Sequence, residues 1–235
     1  MHLFYSSNIV QPFHLLSEEE SKHIHRVLRL NERDELFLTD GKGVRYRCEI
    51  THASPKKCQV RILSTEETPA HPTQLHIAIA PTKNINRFEW FLEKATEIGI
   101  DEITPLICTH SERKVVKSDR LKKVVIAAMK QSLKSWLPEI HQSISFNELI
   151  HRRFDGQKFI AYCETGKEEL LQKMYLPGSS ALILVGPEGD FSPEEVEQAT
   201  QAGFIPVSLG NSRLRTETAG IVACMTFQLL NQGIS

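Results

Sequence analysis

The sequence has no apolar run approaching the roughly 20 residues that cross a bilayer. Its N-terminus, Met1-His-Leu-Phe-Tyr-Ser6, carries neither the basic nor the apolar segment of a secretory leader. The expected compartment is therefore the cytoplasm, with no membrane partner. C-x-x-C spacing is also absent: five cysteines, an odd number, stand at 48, 58, 108, 163 and 224. Neither a disulfide framework nor a zinc site is suggested, and reduced, mostly buried thiols are expected. There is no G-x-G-x-x-G and no glycine loop closed by a lysine, so the usual dinucleotide and nucleotide phosphate cradles are not expected. His23 and His25 are two apart and cannot share a helix face as an i, i+4 metal pair, and none of the ten histidines is read as a metal ligand. Net charge is almost absent as well, at −1, which argues against a wholly basic nucleic-acid binder.

The distribution of charge says more than its sum. From Arg113 to Lys134 eight lysines and arginines, Arg113, Lys114, Lys117, Arg120, Lys122, Lys123, Lys130 and Lys134, face a single Asp119, whereas Glu188 to Glu197 is acidic. A local basic stripe in a neutral chain suits a polyanion or a solvated helix face. The remaining composition, 40% apolar and 24% charged, is that of an ordinary globular protein.

The stretch Glu66-Glu-Thr-Pro-Ala-His-Pro-Thr73 has two prolines and no periodicity and reads as a linker. Cutting there gives a domain over 1–68 and another over 69–235. The first has short alternating runs at 35–39, 44–50 and 58–63, separated by the turns Asp40-Gly-Lys-Gly43 and 53–57, and is expected to be a small β-rich domain. Its one helix starts at Ser17, with Glu20 placed to complete a capping box. On that helix Ile24, Val27 and Leu28 are expected to face the core, while Lys22, His25, Arg26 and Arg29 recur at helical spacing as a basic face suited to a phosphate backbone.

The second domain alternates strands and helices. Strands are expected at 75–80, 103–107, 159–162, 181–185 and 205–209; helices are expected around Phe88 to Gly99, Ser118 to Trp136, Lys167 to Tyr175, from Pro193, and from Thr216 to Asn231. This is an α/β pattern with a mainly parallel sheet. Two of its strands stop at glycine loops that feed helices, Gly186-Pro-Glu-Gly-Asp-Phe-Ser192 and Gly210-Asn-Ser-Arg-Leu-Arg-Thr-Glu-Thr-Ala-Gly220. Open α/β sheets bind ligands beyond the carboxyl ends of their strands, so the chemistry is expected at these loops. The first is acidic through Glu188 and Asp190 and suits a ligand with positive charge or polar edges. The second brings Arg213 and Arg215 beside Thr216 and Glu217 at a helix start, an arrangement that favours an anion and sets acid and base side by side. No cysteine lies in either loop, so cysteine nucleophilic catalysis has no support.

Gly186-Pro-Glu-Gly189, Leu209-Gly210, Leu214-Arg-Thr-Glu-Thr218, His23-Ile-His-Arg-Val-Leu-Arg-Leu30 and Phe91-Leu-Glu-Lys-Ala-Thr-Glu-Ile-Gly99 together resemble the RsmE family. These are ribosomal RNA uridine N3-methyltransferases of the SPOUT superfamily. The resemblance runs over nearly the whole chain. It implies a PUA-like RNA-binding β-barrel followed by an α/β domain tied in a trefoil knot, which neither periodicity nor spacing shows and which general connection rules disfavour. It also implies S-adenosylmethionine as methyl donor, a homodimer through the knotted domain, and 16S rRNA or the 30S subunit as substrate.

Carried onto this chain, the cofactor residues are Leu184, Val185, Gly186, Pro187, Glu188, Gly189, Leu209, Gly210, Leu214, Arg215 and Thr216, with Glu164 added from the preceding strand end. Arg213, Arg215 and Glu217 are the catalytic candidates: the arginines for charge on the uracil carbonyl oxygens, the glutamate to orient an arginine or accept a proton. Lys83, Arg87 and Arg113, with Ser111, Glu112, Gln131 and Ser132, correspond to positions facing RNA or a partner subunit. The chain departs from the family pattern at Leu3, Lys130, Lys134 and Asp190, the last where glycine is common. A SPOUT ribose 2′-O-methyltransferase and a catalytically silent RNA-binding factor are the competing readings.

Overall fold

The computed structural model describes residues 2–162 and 168–233. They fall into two compact units, Met1–Ala70 with Met129–Leu137, and His71–Ala128 with Pro138–Ser235.

The first unit is a five-stranded sheet in the order β1 (Leu3–Tyr5), β3 (Glu35–Thr39), β4 (Val44–His52), β5 (Gln59–Glu67), β2 (Phe13–Leu15). β1 runs parallel to β3, and the other pairs are antiparallel. Alternation along the strands puts Leu36, Leu38, Tyr46, Cys48, Ile50 and Val60 inside with Phe4, Leu16 and Ile24. The 40–43 turn is built by the Asp40 carboxylate, which accepts from the amides of Lys42 and Val44 at 2.7 and 3.3 Å. The strand expected to end at Leu63 continues to Glu67, so the expected linker is shorter than its composition suggests.

Ser17 caps helix α1 (Glu18–Lys22) by accepting from the Glu20 amide at 3.2 Å. The reciprocal half of the box is replaced, for the Glu20 carboxylate accepts instead from Lys130 Nζ at 2.7 Å. From His23 to Leu28 the helix widens into a π-helical turn. This corrects the expected apolar face at one position: Ile24 is buried and Leu28 packs against the same core, but Val27 is 68% exposed. The i→i+5 turn rotates position i+3 away from where an α-helix puts it. Lys22, His25, Arg26 and Arg29 are all exposed, Lys22 pairing with Glu18 and Arg29 leaving the helix in the left-handed region.

The second unit holds β6 (Leu75–Ile79), α2 (Ile85–Ile98), β7 (Glu102–Ile107), most of α3 (Ser118–Gln131), β8 (Glu139–Ile140), β9 (Ile144–Ser145), α4 (Phe146–Ile150), β10 (Gln157–Ala161), α5 (Leu171–Met174), β11 (Ala181–Val185), α6 (Pro193–Gln201), β12 (Ile205–Val207) and α7 (Thr216–Asn231). Every pairing is parallel, in the order β12-β10-β11-β6-β7-β8, with β9 also on β7. Every residue of β6 and β11 is buried, as expected of strands covered on both faces. One face packs on Phe146, Leu149, Phe191 and Ala199. Against the other, α7 lies on α2 and β6, with Gly220 against Phe91 and Ile79.

α3 stops at Gln131, not Trp136. Leu133 takes φ 56, and the chain turns to lay Ser135–Leu137 along the 40–43 turn. There the Gly43 amide donates to Ser135 O at 3.0 Å, the Leu137 amide to Gly41 O at 2.9 Å, and Trp136 Nε1 to Thr68 O at 3.0 Å. The strand expected at 205–209 ends at Val207, and the short edge pieces β8, β9 and α4 had no sequence expectation.

A Cβ on Gly220 would sit 2.6 Å from Phe91 Cε2 and 2.9 Å from Ile79 Cδ1, inside the packed face. Gly220→Ala is expected to cost about 1–3 kcal/mol, read as a lower urea midpoint at unchanged slope. An unchanged midpoint would show that the α7 contact has slack.

Candidate active site

β11 delivers Gly186 to a loop that is held from several sides. The Asp190 amide donates to Pro187 O at 3.0 Å to close a turn, and Asp190 itself has φ 60. That conformation explains an aspartate where glycine is common, since Asp tolerates the left-handed region better than most residues. The Asp190 carboxylate accepts from the Phe191 amide at 2.8 Å, and Phe191 anchors the loop against Phe146. Gly189 eases a close approach: a Cβ there would lie 3.1 Å from His110 Cβ, tight enough to push that neighbour back by a few tenths of an ångström. Beyond the loop, Ser192 and Glu195 form a capping box at the start of α6, with Pro193 in its first turn. Glu195 also accepts from the Thr109 amide at 2.9 Å, fastening the 108–113 turn to the same helix start.

The loop after β6 completes this wall. Glu188 Oε1 accepts from the Lys83 amide at 2.9 Å, and Arg113 donates to Thr82 O and Lys83 O at 3.1 and 2.7 Å. The Lys83 ammonium pairs with Glu112 at 2.7 Å. Arg113 thus spends its guanidinium on holding a loop, and Ser111 accepts from the Cys108 amide to shape the adjoining turn. Of the basic stripe, Arg120 is paired with Glu89 and Lys130 with Glu20, while Lys114, Lys117, Lys122 and Lys123 are exposed.

On the other side, Ser208 and Gly210 bond to each other across the turn that ends β12, with Gly210 at φ 132. The chain then runs irregularly to α7, where Arg215 stands at the N-cap position without a side-chain cap. Between the walls lies a cavity of about 480 Å³. Val185, Gly186, Pro187, Glu188, Leu209, Gly210, Arg213, Leu214, Arg215 and Thr216 line it. Leu184 is one residue deeper, in the core, and Gly189 faces His110. Glu164 lies outside the described residues. Asp190, which with Glu188 makes the loop acidic, also lines the cavity, as do Ala161, Tyr162, Ser212 and Ala219, which the sequence did not single out. Tyr162, directly after β10, was findable from the rule that strand ends bind ligands; the others depend on how the loops close.

Arg87, expected to face RNA, lines this cavity too. Its Nε stands 3.8 Å from Glu217 Oε1, beyond hydrogen-bond length, while Glu217 Oε2 is buried with no hydrogen-bond partner. Leaving such an oxygen unsatisfied costs about 1–3 kcal/mol, a penalty that marks the position. Arg215 and Glu217, two residues apart at this helix start, form no ion pair with each other, the Glu217 carboxylate facing Arg87 instead.

Comparison with known proteins agrees with this layout. Residues 69–228 match the RNA methyltransferase domain family, and residues 16–63 match the RNA methyltransferase PUA domain family. The Bacillus subtilis ribosomal RNA small subunit methyltransferase E is 31% identical over 226 residues, covering 90% of this chain and 88% of that protein. The chain belongs to the ribosomal RNA small subunit methyltransferase E family.

Among solved structures, the Neisseria gonorrhoeae member of this family, bound to S-adenosyl methionine, superposes with a TM-score of 0.88 at 28% identity, over 98% of each chain. A “probable rRNA-methyltransferase” from Porphyromonas gingivalis gives 0.93 at 44% identity over 100% of both. The chain therefore has a PUA-like first unit and an RNA methyltransferase second unit. Among the described residues no helix is long and apolar enough to cross a membrane.

The described cysteines, 48, 58, 108 and 224, are all buried. Burial pushes the Cys48 thiol up to about 12 and Cys58 to about 11, and raises Cys108 as well, with the Glu195 carboxylate adding to it. Thiolate, the reactive form, is thus suppressed. Iodoacetamide at pH 8 is expected to leave these four unmodified in the folded protein and to alkylate them in urea, as mapped by peptide mass; native labelling of Cys108 would contradict its enclosure.

Proposed function

We propose that the protein transfers a methyl group from S-adenosylmethionine to N3 of a uridine in 16S rRNA, directly and without a covalent enzyme intermediate. The observation that carries this reading is one crevice lined by Arg87, Arg213 and Arg215, with the buried carboxylate of Glu217 just behind that lining, 3.8 Å from Arg87 Nε and with one oxygen unpartnered. The cofactor fits the walls. The volume is within the range of small-molecule sites, glycine-bearing backbone at Gly186 and Gly210 permits close approach, and Glu188 offers negative charge to a sulfonium.

S-adenosylmethionine supplies an already activated methyl. The chain's residues must then orient uracil and help the weakly acidic N3–H to leave. Arg213 and Arg215 stabilise negative charge developing on the uracil carbonyl oxygens. Glu217 accepts the N3 proton as the N3–carbon bond forms and the sulfur–carbon bond breaks. Lys22, His25, Arg26 and Arg29, exposed on the first unit, supply phosphate contacts, and the free ribosomal RNA or the 30S subunit presents the target. Lys83 and Arg113 support binding by fixing the 82–84 loop.

The same reading includes a cytoplasmic homodimer through the second unit and a knotted C-terminal segment. Exposed apolar side chains on the α2–α7 layer, Trp90, Met225 and Leu229, suit such an interface.

Purified protein with S-adenosylmethionine is expected to add one methyl to small-subunit rRNA from a strain lacking it, at uracil N3, read as a reverse-transcription stop. A methyl on ribose, which leaves pairing intact, would make it a 2′-O-methyltransferase; no methyl on free rRNA or whole subunits would remove the substrate assignment. Arg215→Ala is expected to abolish turnover with the fold intact. Glu217→Gln is expected to lower kcat by about 10²-fold or more; wild-type rates would exclude each from its role.

A further inference from the structure

The carboxyl ends of the parallel strands hold the crevice, but a second constellation sits at their amino ends. His76 is the second residue of β6, Glu102 the first of β7 and Glu139 the first of β8, and the register pairs His76 with Glu102 and Glu102 with Glu139. His141 follows β8, its amide donating to Ile103 O at 2.9 Å. Three adjacent strands thereby bring two imidazoles and a carboxylate to one level of the sheet edge. Nothing in the proposed methyl transfer uses them.

We propose that His76, Glu102 and His141 form a binding site for a divalent transition metal of the zinc class, which staples β6, β7 and the edge strand β8. One ligand atom from each residue can be chosen so that all lie within 4.8 Å of one another. Glu102 Oε2 is 2.7 Å from His141 Nε2 and 3.7 Å from His76 Nδ1. Ligand atoms about 2.0–2.1 Å from a tetrahedral zinc are about 3.3 Å apart, a spacing between those two. The widest separation, within 4.8 Å, closes to that spacing if the exposed side of the cluster, Glu102 and His141, turns inward.

The outer contacts are also those of a metal site. His76 Nε2 is 2.8 Å from Thr104 Oγ1, so that hydroxyl can take the ring proton and leave Nδ1 as a lone pair toward Glu102. His141 Nδ1 has the Glu139 carboxylate nearby at 3.6 Å, beyond hydrogen-bond length. A second nitrogen held by an oxygen partner, as in His76, fixes the tautomer and the ring direction of a metal-binding histidine. His76 is buried, whereas the side chains of Glu102 and His141 are each about a third exposed, which leaves an entry path and a position for water. Arg152 is the opposing charge near His76, and Glu148 pairs with it at 3.1 Å. No sequence motif announces the site, because its residues come from successive strands.

Cobalt(II) added to chelator-stripped full-length protein tests this. The expected result is a saturable visible absorption band at one cobalt per chain, lost on adding zinc, with zinc also raising the urea midpoint. Glu102→Gln and His141→Ala, each checked for native circular dichroism, are expected to weaken cobalt binding at least tenfold. Wild-type protein without a saturable band overturns the proposal, as does wild-type affinity in folded Glu102→Gln or His141→Ala.

Discussion

Two strands buried along their whole length, β6 and β11, set the terms for the catalytic unit. Paired in register from Leu75 to Ile79 and Ala181 to Val185, they have apolar side chains on both faces, and helices must cover both. Their amides and carbonyls are taken up by each other and by the flanking strands β7 and β10, so polar groups become available to a ligand only where the strands end. At the carboxyl end two loops spread apart and leave a crevice. At the amino end the polar side chains of three strands meet at the sheet edge. Both features follow from one sheet that can be polar only at its rims.

What holds the crevice open is a chain of backbone contacts made by charged side chains. Glu188 binds the Lys83 amide, Arg113 binds the carbonyls of Thr82 and Lys83, and Glu195 caps its own helix while binding Thr109. Charges that look in the sequence like recognition groups are partly structural here. The loops after β6, β7 and β11 are thus tied to one another, and Gly189 lets two of them touch at His110. Rigid walls favour a preorganised site, in which donors need not be rearranged during reaction.

The first unit shows a different dependence on distant sequence. Residues 129–137 complete it, with Gly43 admitting the Trp136 ring, whose atoms would lie 2.5 Å from a Cβ at that position. The pair explains why the α3 helix ends early: continuing it to Trp136 would forfeit hydrogen bonds from Gly43, Leu137 and the indole. Lys130, placed near the end of the basic stripe, is drawn to Glu20 for the same reason. Local periodicity carries no information about such contacts.

The residues alone determined the alternation of the main strands and helices of the second unit, the extents of β11 and α7 and the cap at Ser17, and they singled out the two glycine loops that line the crevice. These depend on short-range rules: burial pattern, capping and turn chemistry act within a few residues. The loop motifs, taken together, also pointed to the family. Tertiary structure alone decided the π-helical turn that exposes Val27, the split edge strands β8 and β9, the capture of 129–137 by the first unit, and the partners of individual charges. It moved Arg87 into the crevice, put Arg113 to work on a loop, left a Glu217 oxygen unpaired, and gathered His76, Glu102 and His141. Each of these depends on which long side chain reaches which group across the fold, a matter of distances set by packing and invisible to spacing along the chain.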